Sequence, residues 1–126
     1  MTLVLDAGAF IAVERDDRDV VALIKRERLA KRAPITHGGV IGQVWRGGSG
    51  RQARLALLLA GIEVTPLDDA LGRRAGALLR SSKTKDVIDA ALVLLARDGD
   101  GILTSDAEDL IPLARAAGAD VEIMTV

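Results

Sequence analysis

A chain of 126 residues that is 49% apolar is long enough to bury one core and too hydrophobic to be disordered. Seventeen Lys and Arg against 18 Asp and Glu leave a formal charge of −1, which excludes a protein that coats nucleic acid through a global positive field. The absence of cysteine excludes a disulfide frame and a thiolate metal centre, and no apolar run reaches the roughly 18 residues of a membrane span.

Short β-branched runs alternate with longer helical ones, which predicts one α/β domain over residues 1–126. Residues 3–5 form a first buried strand that ends at Asp6. A short helix through Phe10 and Ile11 follows, then a longer one over residues 17–30. On that helix Val20, Val21, Leu23, Ile24 and Leu29 are expected to face the core, with Lys25, Arg26, Glu27 and Arg28 outside. Residues 34–37 make a weak second strand, followed by helices over about 39–46 and 51–60. The third strand, 62–65, stops at Pro66. Helices over 68–80 and about 84–97 come next, the former opened by Asp68 as a cap. Gly99 and Gly101 lead into strand 102–104, and a last helix, 106–117, ends at Gly118. Residues 121–125 alternate like a final edge strand. The opening residues carry neither a basic segment nor a cleavage signature, so the expected location is the cytosol, away from membranes.

A parallel sheet puts particular residues on one rim. Asp6 ends the first strand and Asp106 follows the fourth, so both lie at the carboxyl edge. Asp86 and Asp89 open a helix that must finish at the amino edge, so they start at the carboxyl edge too. Gln43 lies about one turn into the helix after strand two. Ligands of open α/β sheets bind at this rim, where strand order reverses. Each acid also fits a plain helical role. Asp6 and Asp106 suit helix caps, Asp109 stands three residues beyond Asp106 as in a capping box, and Asp86 and Asp89 complement a helix dipole. Together they form a set of repelling carboxylates that needs a cation or protons. Oxygen donors without Cys or His select a hard ion, Mg²⁺ or Mn²⁺.

Four segments carry a family resemblance. Val4-Leu5-Asp6-Ala7-Gly8-Ala9-Phe10-Ile11-Ala12 resembles the opening of PIN domains. Ile41-Gly42-Gln43-Val44-Trp45-Arg46-Gly47-Gly48 is similar to their second acidic segment, Asp86-Val87-Ile88-Asp89-Ala90-Ala91 to the third, and Leu103-Thr104-Ser105-Asp106 to the fourth. The order and spacing match over essentially the whole chain, in the manner of VapC-type toxins. The resemblance implies a three-layer α/β/α sandwich with a mainly parallel five-stranded sheet. It also implies a metal-dependent ribonuclease, an RNA substrate, a cognate antitoxin and a homodimer. Its acidic quartet falls on Asp6, Gln43, Asp86 and Asp106, of which Asp6, Asp86 and Asp106 would be the catalytic metal ligands. Asp89 and Asp109 would be further ligands or their hydrogen-bonding partners, and Thr104 would orient a carboxylate or water. Gln43 departs from the pattern, which has glutamate there. An amide oxygen can ligate or hold a metal-bound water but brings no charge. Glu14 is a conceivable replacement, two turns along the helix from Asp6.

The glycine-containing turn at 46–51 is not a P-loop, since no Gly-Lys-Ser/Thr ends it. Arg46, Arg51 and Arg54 could touch RNA phosphates there, or belong to a solvated connection. His37 is the single histidine and has no evident triad partner, so a structural role is expected of it. Trp45 suits either the core or an interface. Two other functions compete. One is a catalytically weak relative that binds an antitoxin or RNA without cutting. The other is a phosphoacceptor receiver, which needs paired acids after strand one and a late lysine; here Ala7 follows Asp6 and no lysine follows Lys85.

Overall fold

The runs of apolar residues in the first and fourth strands become the middle of a sheet. In the computed structural model, which describes residues 1–48 and 50–126, the strands are β1 (Leu3–Leu5), β2 (Ile35–His37), β3 (Glu63–Thr65), β4 (Gly101–Thr104) and β5 (Glu122–Thr125). Their order is β3-β2-β1-β4-β5, and every pairing is parallel. Strands covered on both faces read as unbroken apolar runs. Leu3, Val4, Leu5, Ile102 and Leu103 are accordingly buried, while the edge strands β3 and β5 are largely exposed.

Among the described residues the helices are α1 (Ala7–Glu14), α2 (Arg18–Leu29), α3 (Gly38–Val44), α4 (Ala53–Leu59), α5 (Asp69–Ser82), α6 (Val87–Leu95) and α7 (Ala107–Ala117). The chain runs β1 to β2 to β3 in one direction across the sheet, and β4 to β5 in the other. Parallel crossovers are right-handed, so reversing direction moves the connecting helices to the opposite face. Helix α1 packs with α2, α3 and α4, whereas α5, α6 and α7 pack with one another. The result is the three-layer α/β/α sandwich, with a sheet wholly rather than mainly parallel. No helix among the described residues is long and apolar enough to cross a membrane.

Two expectations for α2 are reversed. Leu29 is 76% exposed, and Glu27, expected outside, is 3% exposed. Periodicity gives a residue its angle around a helix but not what arrives from elsewhere to cover it. Here Arg32 Nε donates to Glu27 Oε2 at 2.7 Å, with the N-terminal amine of Met1 at 3.6 Å and Arg26 at 3.4 Å. The Arg32 hydrogen bond is the main reason that the Glu27 carboxyl lies below its usual pKa, with the charges of Arg32, the N-terminal amine and Arg26 adding to it against burial. The helix predicted from residue 84 begins at Val87, because Asp86 is extended and caps it.

Candidate functional site

Between β1 and β4 the direction of the chain across the sheet reverses. From β1 the chain departs into α1, and from β4 into α7 on the other face. The two departing loops pass very close: a Cβ on Gly8 would lie 2.6 Å from Ser105 Oγ and 2.7 Å from Ser105 N. A side chain at position 8 would therefore hold apart the two loops that carry Asp6 and Asp106. Burial of Phe10, the single phenylalanine, contributes about 1.5–3 kcal/mol and ties α1 to the core.

Asp6 is 6% exposed, and both its carboxylate oxygens are held. Oδ1 accepts from Ala7 N at 2.7 Å, and Oδ2 accepts from the Thr104 hydroxyl at 2.8 Å. That hydroxyl in turn accepts from Asp106 N at 2.9 Å. Thr104 thus links the carboxylate at the end of β1 to the backbone of the acid after β4. The sequence assigns it an orienting role; the carboxylate it orients is that of Asp6.

Helix α6 is brought to the same rim by His37. Gly39 N donates to His37 Nδ1 at 3.0 Å, so the ring proton is on Nε2, which donates to the Ile88 carbonyl at 2.9 Å. His37 is fully buried, and burial lowers its pKa against the opposing effects of that bond and of the Asp6 charge. It is a neutral structural residue, as its lack of a triad partner implies. A Cβ on Gly39 would lie 2.9 Å from His37 Cε1 and 3.0 Å from its Nδ1, so a side chain there would press on the ring that makes these two hydrogen bonds. Hydrophobic periodicity encodes neither contact; the signal for them is the His-Gly-Gly run at the end of β2.

Asp86 serves as the cap of α6, accepting from Asp89 N at 3.0 Å. Asp106 occupies the cap position of α7 but makes no side-chain cap hydrogen bond, and no capping box forms with Asp109. An aspartate at this position normally satisfies a free helix N–H; this one is left available. Asp89 records how crowded the rim is. Its pKa is pushed from the usual 3.8 to about 7, by burial first and then by the charges of Asp86, Asp6, Asp109 and Asp106. Carboxylates from the β1, α6 and α7 segments therefore lie within electrostatic reach of one another. Asp86, Asp89 and Asp109 also line a cleft of about 300 Å³ with Thr84, Lys85, Glu108, Pro112 and Leu113. Among the described residues no ion pair engages Asp6, Asp86, Asp89, Asp106 or Asp109.

The donor chemistry fits a hard divalent cation, being all oxygen and strongly negative. The ligand geometry is not preassembled: among the described residues no three His, Asp or Glu side chains stand together as a metal-holding group. Ligation therefore requires side-chain rotation, for which Asp106 is free and Asp86 would give up its cap.

Other predicted residues lie elsewhere. Gln43 is exposed near the end of α3 and makes no hydrogen bond to the acids among the described residues. Glu14 closes α1, about 12 Å of helix rise beyond Asp6, and accepts from Gln52 Nε2, so it does not stand in for a glutamate at 43. Arg46 donates to the carbonyls of Gly42 and Trp45, while Arg54 reaches Glu14 O and Asp16. Arg51 is exposed; Ser49, in the same turn, is outside the described residues. Trp45 is 41% exposed, a surface side chain rather than a core one. Compared with models of known families and with curated proteins, the sequence matches none.

Proposed function

We propose that the protein is a magnesium-dependent endoribonuclease of the PIN-domain type, the toxin of a type II toxin–antitoxin pair, which hydrolyses RNA phosphodiester bonds in the cytosol. One observation carries this reading. Acids from separate segments lie within electrostatic reach at the strand-reversal crevice, where burial first and then the charges of Asp86, Asp6, Asp109 and Asp106 raise Asp89 to about 7, with none of the protein's own cations paired to them among the described residues. Asp6, Asp86 and Asp106 would hold the ion, with Asp89 and Asp109 adding charge around it. Bound Mg²⁺ or Mn²⁺ supplies the positive charge that orients a phosphate, stabilises its developing negative charge and acidifies an attacking water. The chain's own part is positional. Thr104 fixes the Asp6 carboxylate, His37 fixes the first turn of α6, and Gly8 lets the two crevice loops close.

A partner fits the opposite end of α1. A groove of about 590 Å³ runs between α1, α2 and α4, with Leu29 and Leu57 76% and 74% exposed and Lys25, Arg28 and Arg54 on its border. On this reading the groove, apolar at its floor and bordered by Lys25, Arg28, Arg54 and Asp16, would take an apolar segment of the antitoxin. A homodimer is part of the same reading.

The second reading is a catalytically weak relative that binds RNA or an antitoxin without cleavage. It is favoured by the uncharged, exposed Gln43 and by the absence of a preassembled ligand group. Purified protein incubated with defined RNAs and Mg²⁺, with and without EDTA, separates the two. Cleavage should require Mg²⁺ and fall on the order of 10²-fold or more in Asp6→Asn, beyond the effect of losing an outer hydrogen-bond partner. Cleavage that persists in EDTA and in Asp6→Asn defeats the metal-dependent mechanism at this rim; RNA binding without cleavage defeats the ribonuclease reading and favours the second.

A further inference from the structure

A polyanionic substrate has an electrostatic difficulty at this rim, because Asp86, Asp89, Glu108 and Asp109 line its cleft and the chain as a whole carries a charge of −1. Positive side chains must lie beside the acids for the phosphates flanking the cleaved bond to settle there. The turn at 46–51 is poorly suited to this. Arg46 is bound to backbone carbonyls at the end of α3, and Arg54 is turned toward Asp16 and the apolar groove. The connection from α5 to α6 is different. Arg80, Lys83 and Lys85 are exposed there, and none forms an ion pair among the described residues. Lys83 terminates α5 in a left-handed conformation with φ 58°, which turns the chain sharply toward Asp86. Thr84 and Lys85 themselves line the cleft that holds Asp86, Asp89 and Asp109. The Ser82 and Thr84 hydroxyls, 2.8 Å apart, add neutral polar groups along the same path.

We infer that this α5–α6 connection, through Lys83 and Lys85 with Arg80 beside them, is the phosphate-binding segment that seats single-stranded RNA against the acidic rim. The inference rests on the ribonuclease reading and assigns its substrate contacts to a stretch other than the arginine turn. Lysine ammonium groups act on phosphates as point charges and read no sequence. The segment therefore sets affinity and register rather than base preference.

The test uses the full chain and a labelled single-stranded RNA of mixed sequence, bound in EDTA over a range of salt concentrations. Each phosphate contact removed should reduce the slope of log affinity against log salt by about 0.7. Lys83→Ala/Lys85→Ala should lose about twice that, and Arg46→Ala/Arg54→Ala, at two arginines already engaged by the fold, should leave the slope as in wild type. Lys85→Ala should also bind Mg²⁺ more tightly by calorimetry, since it removes a cation from an acidic cleft. A purely structural role would not strengthen one ligand while weakening the other. In cleavage assays the lysine pair should raise KM more than it lowers kcat. If wild type cleaves RNA but the lysine pair retains the wild-type slope and KM, the inference fails alone. If wild type does not cleave RNA in Mg²⁺, the ribonuclease reading fails and takes the inference with it.

Discussion

The two ends of the sheet treat a partly or fully buried carboxylate in opposite ways. At the amino end, Glu27 is surrounded by Arg32, Arg26 and the N-terminal amine, and its pKa is held down. At the carboxyl end, Asp89 is surrounded by Asp86, Asp6, Asp109 and Asp106, and its pKa is raised to about 7. Burial raises both carboxyls and is the largest cause at Asp89; the neighbours add to that rise at Asp89 and outweigh it at Glu27. The fold supplies cations where charge serves to tie α2 to the start of the chain. At the other end, among the described residues, it leaves the acids without an ion-pair partner, and on our reading an external ion does the neutralising.

The most forceful way to break that contrast is to release the one acid on the rim whose two oxygens are both held. Thr104→Val removes the donor to Asp6 Oδ2 and the acceptor for Asp106 N. Losing a hydrogen bond that orients a ligand typically costs 10–100-fold in metal affinity, and a buried oxygen left unpaired costs about 1–3 kcal/mol. Calorimetric titration with Mg²⁺ and a thermal melt should register both losses. An unchanged affinity would mean that Asp6 does not ligate. Gly8→Ala should come next. Its new methyl meets Ser105 at 2.6–2.8 Å, and overpacking of this kind costs about 1–3 kcal/mol. Denaturant unfolding measures the cost, and a wild-type midpoint would show that the two crevice loops are not in tight contact.

A gentler perturbation compares the ends directly. Between about 3.8, the unfolded value, and about 7, the folded value, Asp89 binds more protons in the folded state. Stability from this group is therefore highest at low pH and declines as pH rises through that window. His37 works the other way. Its folded pKa lies below the usual 6.5, so its contribution is present above 6.5 and is lost as pH falls below it. Asp89→Asn should flatten the first slope, leave the second, and raise Tm at pH 8 by on the order of a few degrees. Glu27→Gln should lower Tm at the same pH. Added Mg²⁺ should protect wild type more at pH 8 than at pH 5, because protons compete for the acids. Thermal melts across pH would contradict the contrast if both substitutions moved Tm in the same direction.

Much of this arrangement is legible in the sequence, for an identifiable reason. The apolar runs of β1 and β4 stop at Asp6 and just before Asp106, and a parallel α/β pattern places both ends on one rim without further information. The first turn of α6 follows from direction of travel alone. What periodicity does not encode is which remote groups complete a local environment. Glu27 looks like a solvated position until Arg32 and the chain's own amine are brought to it, and Leu29 looks like core although no element among the described residues covers it. The capping reading of Asp106 fails for a similar reason. Position in sequence makes it a cap, while the Thr104 hydroxyl engages its backbone and no helix N–H takes its side chain. Composition likewise points to the arginine-rich turn for phosphate contacts, whereas hydrogen bonding shows where Arg46 and Arg54 are already committed.

The smallest expected effect concerns Gln43, and it sharpens the contrast rather than breaking it. Helix α3 leaves the rim directly after β2, and Gln43 is exposed near its far end with no hydrogen bond to the acids among the described residues. Gln43→Glu adds one more negative charge on the side of the rim that lacks one. At a solvated position the gain in cation attraction is small, on the order of 1 kcal/mol or less, hence at most several-fold in Mg²⁺ affinity. It should shrink as salt is raised, because exposed charges are screened within about 10 Å at 0.1 M. A gain that persists at high salt would mean that the side chain swings inward and ligates directly. No gain at any salt would place Gln43 outside the site, and the rim would then act through the β1, α6 and α7 segments alone.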